Sequence, residues 1–378
     1  MGDRSQRDYA DLKRRHAAFW SREPTDRPVI VVNYGHYVDT ELVAKAMGAG
    51  ELQPGDIEPD PMFPEYDAVA AVRERIGDDM IATGEPLLGI PWLEAICGCR
   101  VIVVDGKSLW PAPPEDSSSI QEIVFSADNP WYVRLLEVVR QVVRYVNGRY
   151  AVSMSHLRGP ADVLAALLGT EQFFFALMDE PERVQRMAEE AADAWLQVAE
   201  AQTRVIPAYQ GGHVIRQFGL WSPERSGWLQ DDTSSMLSEQ QYSQFFIPPF
   251  RRMAQLSSTP YGVLHLHIPA LHLAECFAKV THVRALNLYF DDNETTVSEA
   301  FPVLRSLQQA GMPLVLAKTV YEGFTLEEYA EIRSGLSRRG LSVHLKADSE
   351  EEACAVMATI REKERHWNEE HVSPGAIR

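Results

Sequence analysis

The chain has 378 residues, a formal net charge of −18, and 45% hydrophobic and 24% charged residues, an ordinary globular composition. So acidic a chain lacks the Lys/Arg stripes that neutralise phosphates, which argues against nucleic acid or an anionic membrane surface as a partner. Four cysteines (Cys97, Cys99, Cys276 and Cys354) are too few for a disulfide framework, and the charged start MGDRSQRDYADLKRRHAAFW has no apolar signal core, so the expected setting is soluble and cytoplasmic.

Residues 1–26 read as an N-terminal helical extension, followed by a recurring unit of a short apolar run and a helical pattern. The runs are PVIVVN (28–33), DDMIAT (78–83), RYAVSMS (149–155), HVIRQFG (213–219), YGVLHLH (261–267), VRALNLY (283–289), MPLVLAK (312–318) and GLSVHLK (340–346). Each fits a strand buried on both faces. Between them lie amphipathic helices, such as 182–205 and 325–340, and Ser238 and Ser349 stand as N-cap candidates. Eight strands alternating with helices predict an α/β fold, a (β/α)₈ TIM barrel in a single domain over 1–378. The segment 98–119 reads as a hairpin and Pro-rich loop inserted at the rim. An open doubly wound sheet is the alternative, although no G-x-G-x-x-G follows any strand.

In such a fold the reacting groups sit at the carboxyl ends of the strands. That places Tyr34, His36, Tyr37, Glu85, His156, Arg158, Gln217, Trp221, Asp231, Asp232, His265, His267, Asn287, Lys318, His344 and Lys346 near one mouth. His265 and His267 are two apart on a strand and therefore share a face. Two imidazoles on one face serve either as metal ligands, for zinc or a similar ion, or as core histidines hydrogen-bonded to backbone. His344, at a comparable height on the last strand, is the expected third ligand. For Asp231 and Asp232 the choice lies between caps for turn N–H groups and a base or metal ligand. Lys318 suits a Schiff base, a carboxylate partner or an ion pair. Cys97-Gly98-Cys99, with no second pair, is read as a hairpin start, and Trp92, Trp221 and Trp228 as pocket walls or packing.

Several of these stretches resemble the uroporphyrinogen decarboxylase superfamily, which includes corrinoid-linked methyltransferases. They are VVNYGHY, HLRGPADVLAALLGTEQFFFALMDEPERVQRM, WLQDDTSSMLSEQQYSQFFIPPFRRM and LHLHIPALHL, in that order over about residues 27–362. The resemblance implies a (β/α)₈ barrel with a deep cleft at its carboxyl face. It departs from the decarboxylases at Asn33-Tyr34-Gly35-His36-Tyr37, which lacks their paired arginines. The methyltransferases' zinc ligands, a His-x-Cys pair and a distant cysteine, fall on His265, His267 and roughly His344.

The resulting expectation is metal-dependent methyl transfer between a small substrate and a corrinoid or thiol carrier, the corrinoid held by a partner protein. His265, His267 and His344 would hold zinc. Asp231, Asp232, His156, His36 and Tyr34 would act in catalysis, and Tyr37, Glu85, Arg158, Gln217, Trp221, Asn287 and Lys318 would bind substrate. The alternative is a metal-free decarboxylase or other lyase acting on a small carboxylate, not uroporphyrinogen itself. A homo-oligomer is compatible with either, and a barrel that only binds a ligand is a third, non-enzymatic reading.

Overall fold

The computed structural model describes residues 8–34, 40–48, 50–87, 89–256, 260–280, 283–291, 295–318 and 322–371. Thirteen strands occur among them. They are β1 (Val29–Asn33), β2 (Gly50–Leu52), β3 (Thr83–Gly84), β4 (Arg100–Val104), β5 (Ser108–Ala112), β6 (Ala151–Val152) and β7 (His213–Ile215), then β8 (Leu220–Ser222), β9 (Ser226–Gln230), β10 (Tyr261–His267), β11 (Val283–Tyr289), β12 (Leu314–Ala317) and β13 (Leu341–Lys346).

Six of them form one parallel sheet in the order β1-β13-β12-β11-β10-β9. Successive strands are neighbours and the first strand pairs with the last, so the order has no reversal of the doubly wound kind. Both faces are buried, as the apolar runs require. One face packs on the helices in the main core, while the other carries Val29, Trp228, Val263, Ala285 and Val315, closed off by Phe19 and Trp20 of the helix Tyr9–Ser21.

Three of the expected strands need correction, the run 149–155 among them, since it yields only β6, outside the six-stranded sheet. The run 78–83 yields only the short β3, paired with β6 in a separate ladder. Asp78 and Asp79 instead turn their carboxylates onto β1, accepting from Val32 N–H at 2.9 Å and Ile30 N–H at 2.8 Å. Those carboxylates are fixed by Arg15, Arg27 and Arg73. Among the described residues the sheet is therefore not closed, and side chains occupy ladder donors of β1. The run 213–219 is likewise no parallel strand. It supplies β7, the first arm of an antiparallel hairpin with β8, and the turn Arg216–Phe218. The strand beside β10 is β9, SGWLQ, buried along its whole length. It went unseen because it lacks β-branched residues and opens with Ser-Gly.

The 98–119 segment contains β4 and β5 as an antiparallel hairpin, extended by β2, which sequence did not reveal. Helix starts follow local chemistry. Ser238 with Gln241, Thr296 with Glu299, and Thr325 with Glu328 form capping boxes. No single helix among the described residues is long and apolar enough to cross a membrane.

Candidate metal centre

The carboxyl ends of β9, β10 and β11 carry two successive rungs of polar side chains. The register aligns His265 with Gln230 on one side and Asn287 on the other. Two residues further along lie Asp232, His267 and Tyr289, on the same face by the two-residue period of strands. The second rung is half-buried while His265 and Asn287 are buried. Among the described residues, Asp232, His265 and His267 form a group whose ligand atoms all lie within 4.8 Å of one another.

The hydrogen bonds around this group fix its tautomers. Asn287 Nδ2 donates to the Val315 carbonyl at 3.0 Å, so Asn287 Oδ1 is the atom 2.5 Å from His265 Nδ1. An amide oxygen only accepts, which puts a proton on that nitrogen. His267 Nδ1 donates to the Asp291 carboxylate at 2.6 Å. Both imidazoles thus turn Nε2 inward, 3.2 Å apart, and Asp232 Oδ1 stands 3.3 Å from His267 Nε2. Three electron-pair donors facing one another repel unless a cation or a proton lies among them.

In the chain alone the charge is a proton. Burial opposes it on His267, but pairing with Asp232 and the charge of Asp291 lift that imidazole to about 9. Burial holds the neighbouring His265 down at about 4. For Asp232 burial also favours the neutral acid, yet the two imidazoles hold its carboxyl well below the usual range. A buried neutral imidazole, a basic imidazole and an ionised carboxylate make a nitrogen–nitrogen–oxygen set suited to zinc or another divalent ion. Three protein ligands leave a coordination position open for substrate.

The surrounding groups orient the ligands. Gln230 Nε2 donates to Asp232 Oδ2. The turn bearing Asp232 is held by Asp162, whose carboxylate accepts Asp232 N–H at 2.9 Å and Thr233 N–H and hydroxyl at 2.7 Å. In return Asp231 accepts Asp162 N–H at 2.9 Å and Tyr242 hydroxyl at 2.6 Å. Burial pushes Asp162 up to about 6 and Asp231 well above its ordinary value. Asp231 is therefore a structural partner of its turn and Asp232 the residue facing the site. Gly159 permits the close approach, since a Cβ there would lie 2.7 Å from the Gln230 carbonyl.

His156 stacks on Trp228 with ring centroids 4.1 Å apart, and Trp228 meets His265 edge-on at 5.7 Å. Burial and the charge of Arg158 hold His156 down at about 3, so it is neutral. Its Nε2 and the Gln230 Oε1 are both buried without hydrogen-bond partners. Two spaces adjoin the centre. A cleft of about 410 Å³ runs from Trp110 of the rim hairpin past Arg158 to Asp232. A narrow pocket lies on the other side, lined by Asn33, Arg216, Gln217, Asn287, Lys318 and His344 among others.

Not every expected residue converges. His344 lies outside the three-ligand group. It is three strands from β10 along the sheet, roughly 14 Å at the usual strand spacing, whereas Asp232 leaves the adjacent β9. Glu85 is buried, accepts His156 N–H at 3.3 Å and pairs with Arg216 at 3.5 Å. Arg158 pairs with Glu94 at 3.1 Å, and Lys318 with Glu328 at 2.8 Å. Trp221 packs with Leu12, Ile81, Ala151 and Val214, away from the centre. Tyr34 is half-buried against the main core. His36 and Tyr37 lie outside the described residues. Sequence reasoning missed Gln230, Asp162, Arg216, Tyr289 and Asp291. An acid two residues after the β11 run, and a glutamine two before Asp232, were the available signals.

No family profile matches the chain, and no characterised protein matches it at the level of sequence. Among solved structures it is similar to a methyltransferase from Methanosarcina mazei, with a TM-score of 0.62 and 16% identity over 93% of this chain and 98% of that one. At that identity the likeness establishes a shared fold.

Proposed function

We propose that the chain is a metal-dependent methyltransferase in which Asp232, His265 and His267 hold a divalent ion, zinc by preference. The observation that carries the metal is the convergence of two Nε2 atoms 3.2 Å apart on a carboxylate oxygen, with both Nδ1 atoms already bonded to Asn287 and Asp291. Methyl transfer is supported by the name of the structural neighbour and by the full-length match. The same match, with the unreversed strand order, supports a (β/α)₈ barrel as the finer description of the fold.

When bound, zinc supplies a Lewis acid that activates a coordinated nucleophile or leaving group. The chain's own residues hold and orient the site. Asn287 and Asp291 fix the two imidazole tautomers, as outer-shell partners of metal ligands commonly do. Gln230 aims Asp232, and Trp228 with His156 forms a dry wall. The reaction we infer transfers a methyl group between a small substrate and a thiol or a corrinoid carried by a partner protein. Metal analysis of purified protein, with and without His265→Ala, tests the proposal. About one equivalent in the parent and a large loss in the variant are expected; no bound metal in the parent would sink it.

A second reading rests on the His267 proton. Without metal, an imidazolium between Asp232 and Asp291 is a positioned general acid, as a lyase acting on a small carboxylate would use. Full activity in metal-free protein would favour it.

A further inference from the structure

We propose that the cleft between the rim hairpin and the turn bearing Asp232 binds the body of the substrate, and that this body is a planar aromatic ring carrying an oxygen acceptor. The inference names a substrate class for the methyl-transfer reading, and it rests on that reading only for what happens to the bound molecule.

The cleft holds about 410 Å³, a size usual for small-molecule sites. Two large apolar side chains that folding leaves in water line it. Trp110 on β5 is 55% exposed, the one exposed tryptophan among the described side chains, and Met236 at the end of the Asp232 turn is 56% exposed. They come from distant parts of the chain and meet at one recess. Large apolar groups gathered on a concave surface mark a binding site, whereas single scattered ones need no explanation. The indole is also held in place. Its Nε1 donates to Ser108 Oγ at 2.8 Å, and Pro111 next to it fixes the backbone. Among the described residues its ring pairs with no other aromatic ring or cation. Ala165 and Ala166 of the helix Pro160–Leu168 also line the cleft, and their small side chains leave room beside the indole.

The chemistry of the walls sets the class of ligand. An indole pairs with another ring beyond the area it buries, and a thioether sulfur packs at ring edges. An uncovered tryptophan with a methionine therefore favours an aromatic ring over an aliphatic chain. Arg158 lines the same cleft, half-buried. Among the described residues its guanidinium makes one hydrogen bond, from Nη1 to Glu94 Oε1 at 3.1 Å. A guanidinium has five N–H donors, so most remain to meet an oxygen on the ring. Asp232 lines the cleft too and is one of the three residues grouped as metal ligands. A ring seated against Trp110 and Met236 thus shares its recess with the metal centre, where a substituent can take the open coordination position.

The test is NMR titration of the full chain, zinc-loaded and chelator-treated, with benzamide, cyclohexanecarboxamide, acetamide and toluene. Benzamide should bind about threefold or more tighter than cyclohexanecarboxamide, and about tenfold or more tighter than acetamide. A merely apolar cleft would take the saturated ring at least as well. Trp110→Ala, at an exposed position, should weaken benzamide about tenfold and abolish its advantage over the saturated ring, while Trp110→Phe should restore most of both. Arg158→Lys keeps the charge beside Glu94 but loses the fork, and it should weaken benzamide about threefold while leaving toluene unmoved. Circular dichroism checks that each variant is folded, and the Trp110 pair keeps the test open should Arg158→Lys unfold. No benzamide binding, equal or tighter binding of the saturated ring, or benzamide affinity unmoved in Trp110→Ala overturns the proposal. Arg158→Lys weakening both ligands alike, or neither, overturns the assignment of the oxygen to Arg158. Benzamide binding that requires zinc assigns the ligand to the metal and overturns the cleft. Benzamide binding in a protein that takes up no zinc leaves the cleft standing and removes the metal reading.

Discussion

Two polar clusters sit at opposite ends of the same sheet, and they are built on opposite principles. Along β1, Arg15, Arg27 and Arg73 meet Asp78 and Asp79, and the carboxylates also take backbone N–H groups of the strand. Donors there face acceptors. At the carboxyl end of β10, two imidazole nitrogens and a carboxylate oxygen face one another, three electron-pair donors around one space. The first arrangement sets opposite charges against one another and belongs to folding. The second needs a proton or a metal ion among its donors, and function is sought there.

The largest effect that probes this contrast is on stability. Asp79→Ala would leave Arg27 and Arg15 buried without their shared partner, a loss of about 3–5 kcal/mol, read from denaturant unfolding. At the other end, His265→Ala or Asp232→Ala should cost the metal-free protein less than that, Asp232→Ala by removing the carboxylate that holds the His267 proton. Each should weaken zinc on the order of a hundredfold or more, measured by competition with a chelator. A reversal of these two outcomes would mean that the clusters have been assigned the wrong way round.

Asn287→Leu keeps the volume but removes the acceptor for His265 Nδ1–H, and zinc affinity should fall about 10–100-fold. The pH dependence is milder and separates the clusters again. His267 holds a proton up to about 9 in the metal-free chain, and zinc must displace it, so affinity should rise at most about tenfold per pH unit until about 9 and then level off. By linkage, a raised imidazole stabilises the metal-free fold fully below its ordinary 6.5, and that contribution is lost as pH rises through about 9. Asp79 has the reverse sign. Its carboxyl is held low, against burial, by Arg27 and Arg15, so its contribution is present above the ordinary carboxylate range and disappears in acid. Metal-free protein should therefore weaken at both pH extremes, and zinc should relieve only the alkaline one.

Much of this was legible in the sequence, for reasons that name its limits. The buried runs of β10 to β13 are continuous and apolar, so periodicity found them, and the two-residue spacing of His265 and His267 put both on one face. Asp232 was on view as a loop acid. What distinguished it from Asp231 was the exchange of caps with Asp162, a contact across 69 and 70 positions. His344 was expected beside His265 and His267 because strand height was legible and lateral distance was not; the residue grouped with them is Asp232. The run 213–219 misled because an antiparallel arm and a parallel strand share the same apolar signature. Its consequence is larger than one strand, since the misplaced segment brings Arg216 and Gln217 to the pocket.

The carboxylates along β1 have a consequence for the behaviour of the protein in bulk. An edge with free ladder groups is a template for another chain, and Asp78 and Asp79 occupy donors of that edge while carrying charge. Weakening the arginine cluster would uncover an adhesive strand at the same moment as it loosened the fold. Failure at this end of the molecule should first be seen as turbidity on storage or gentle heating, before any loss of metal or change in chemistry at the other end.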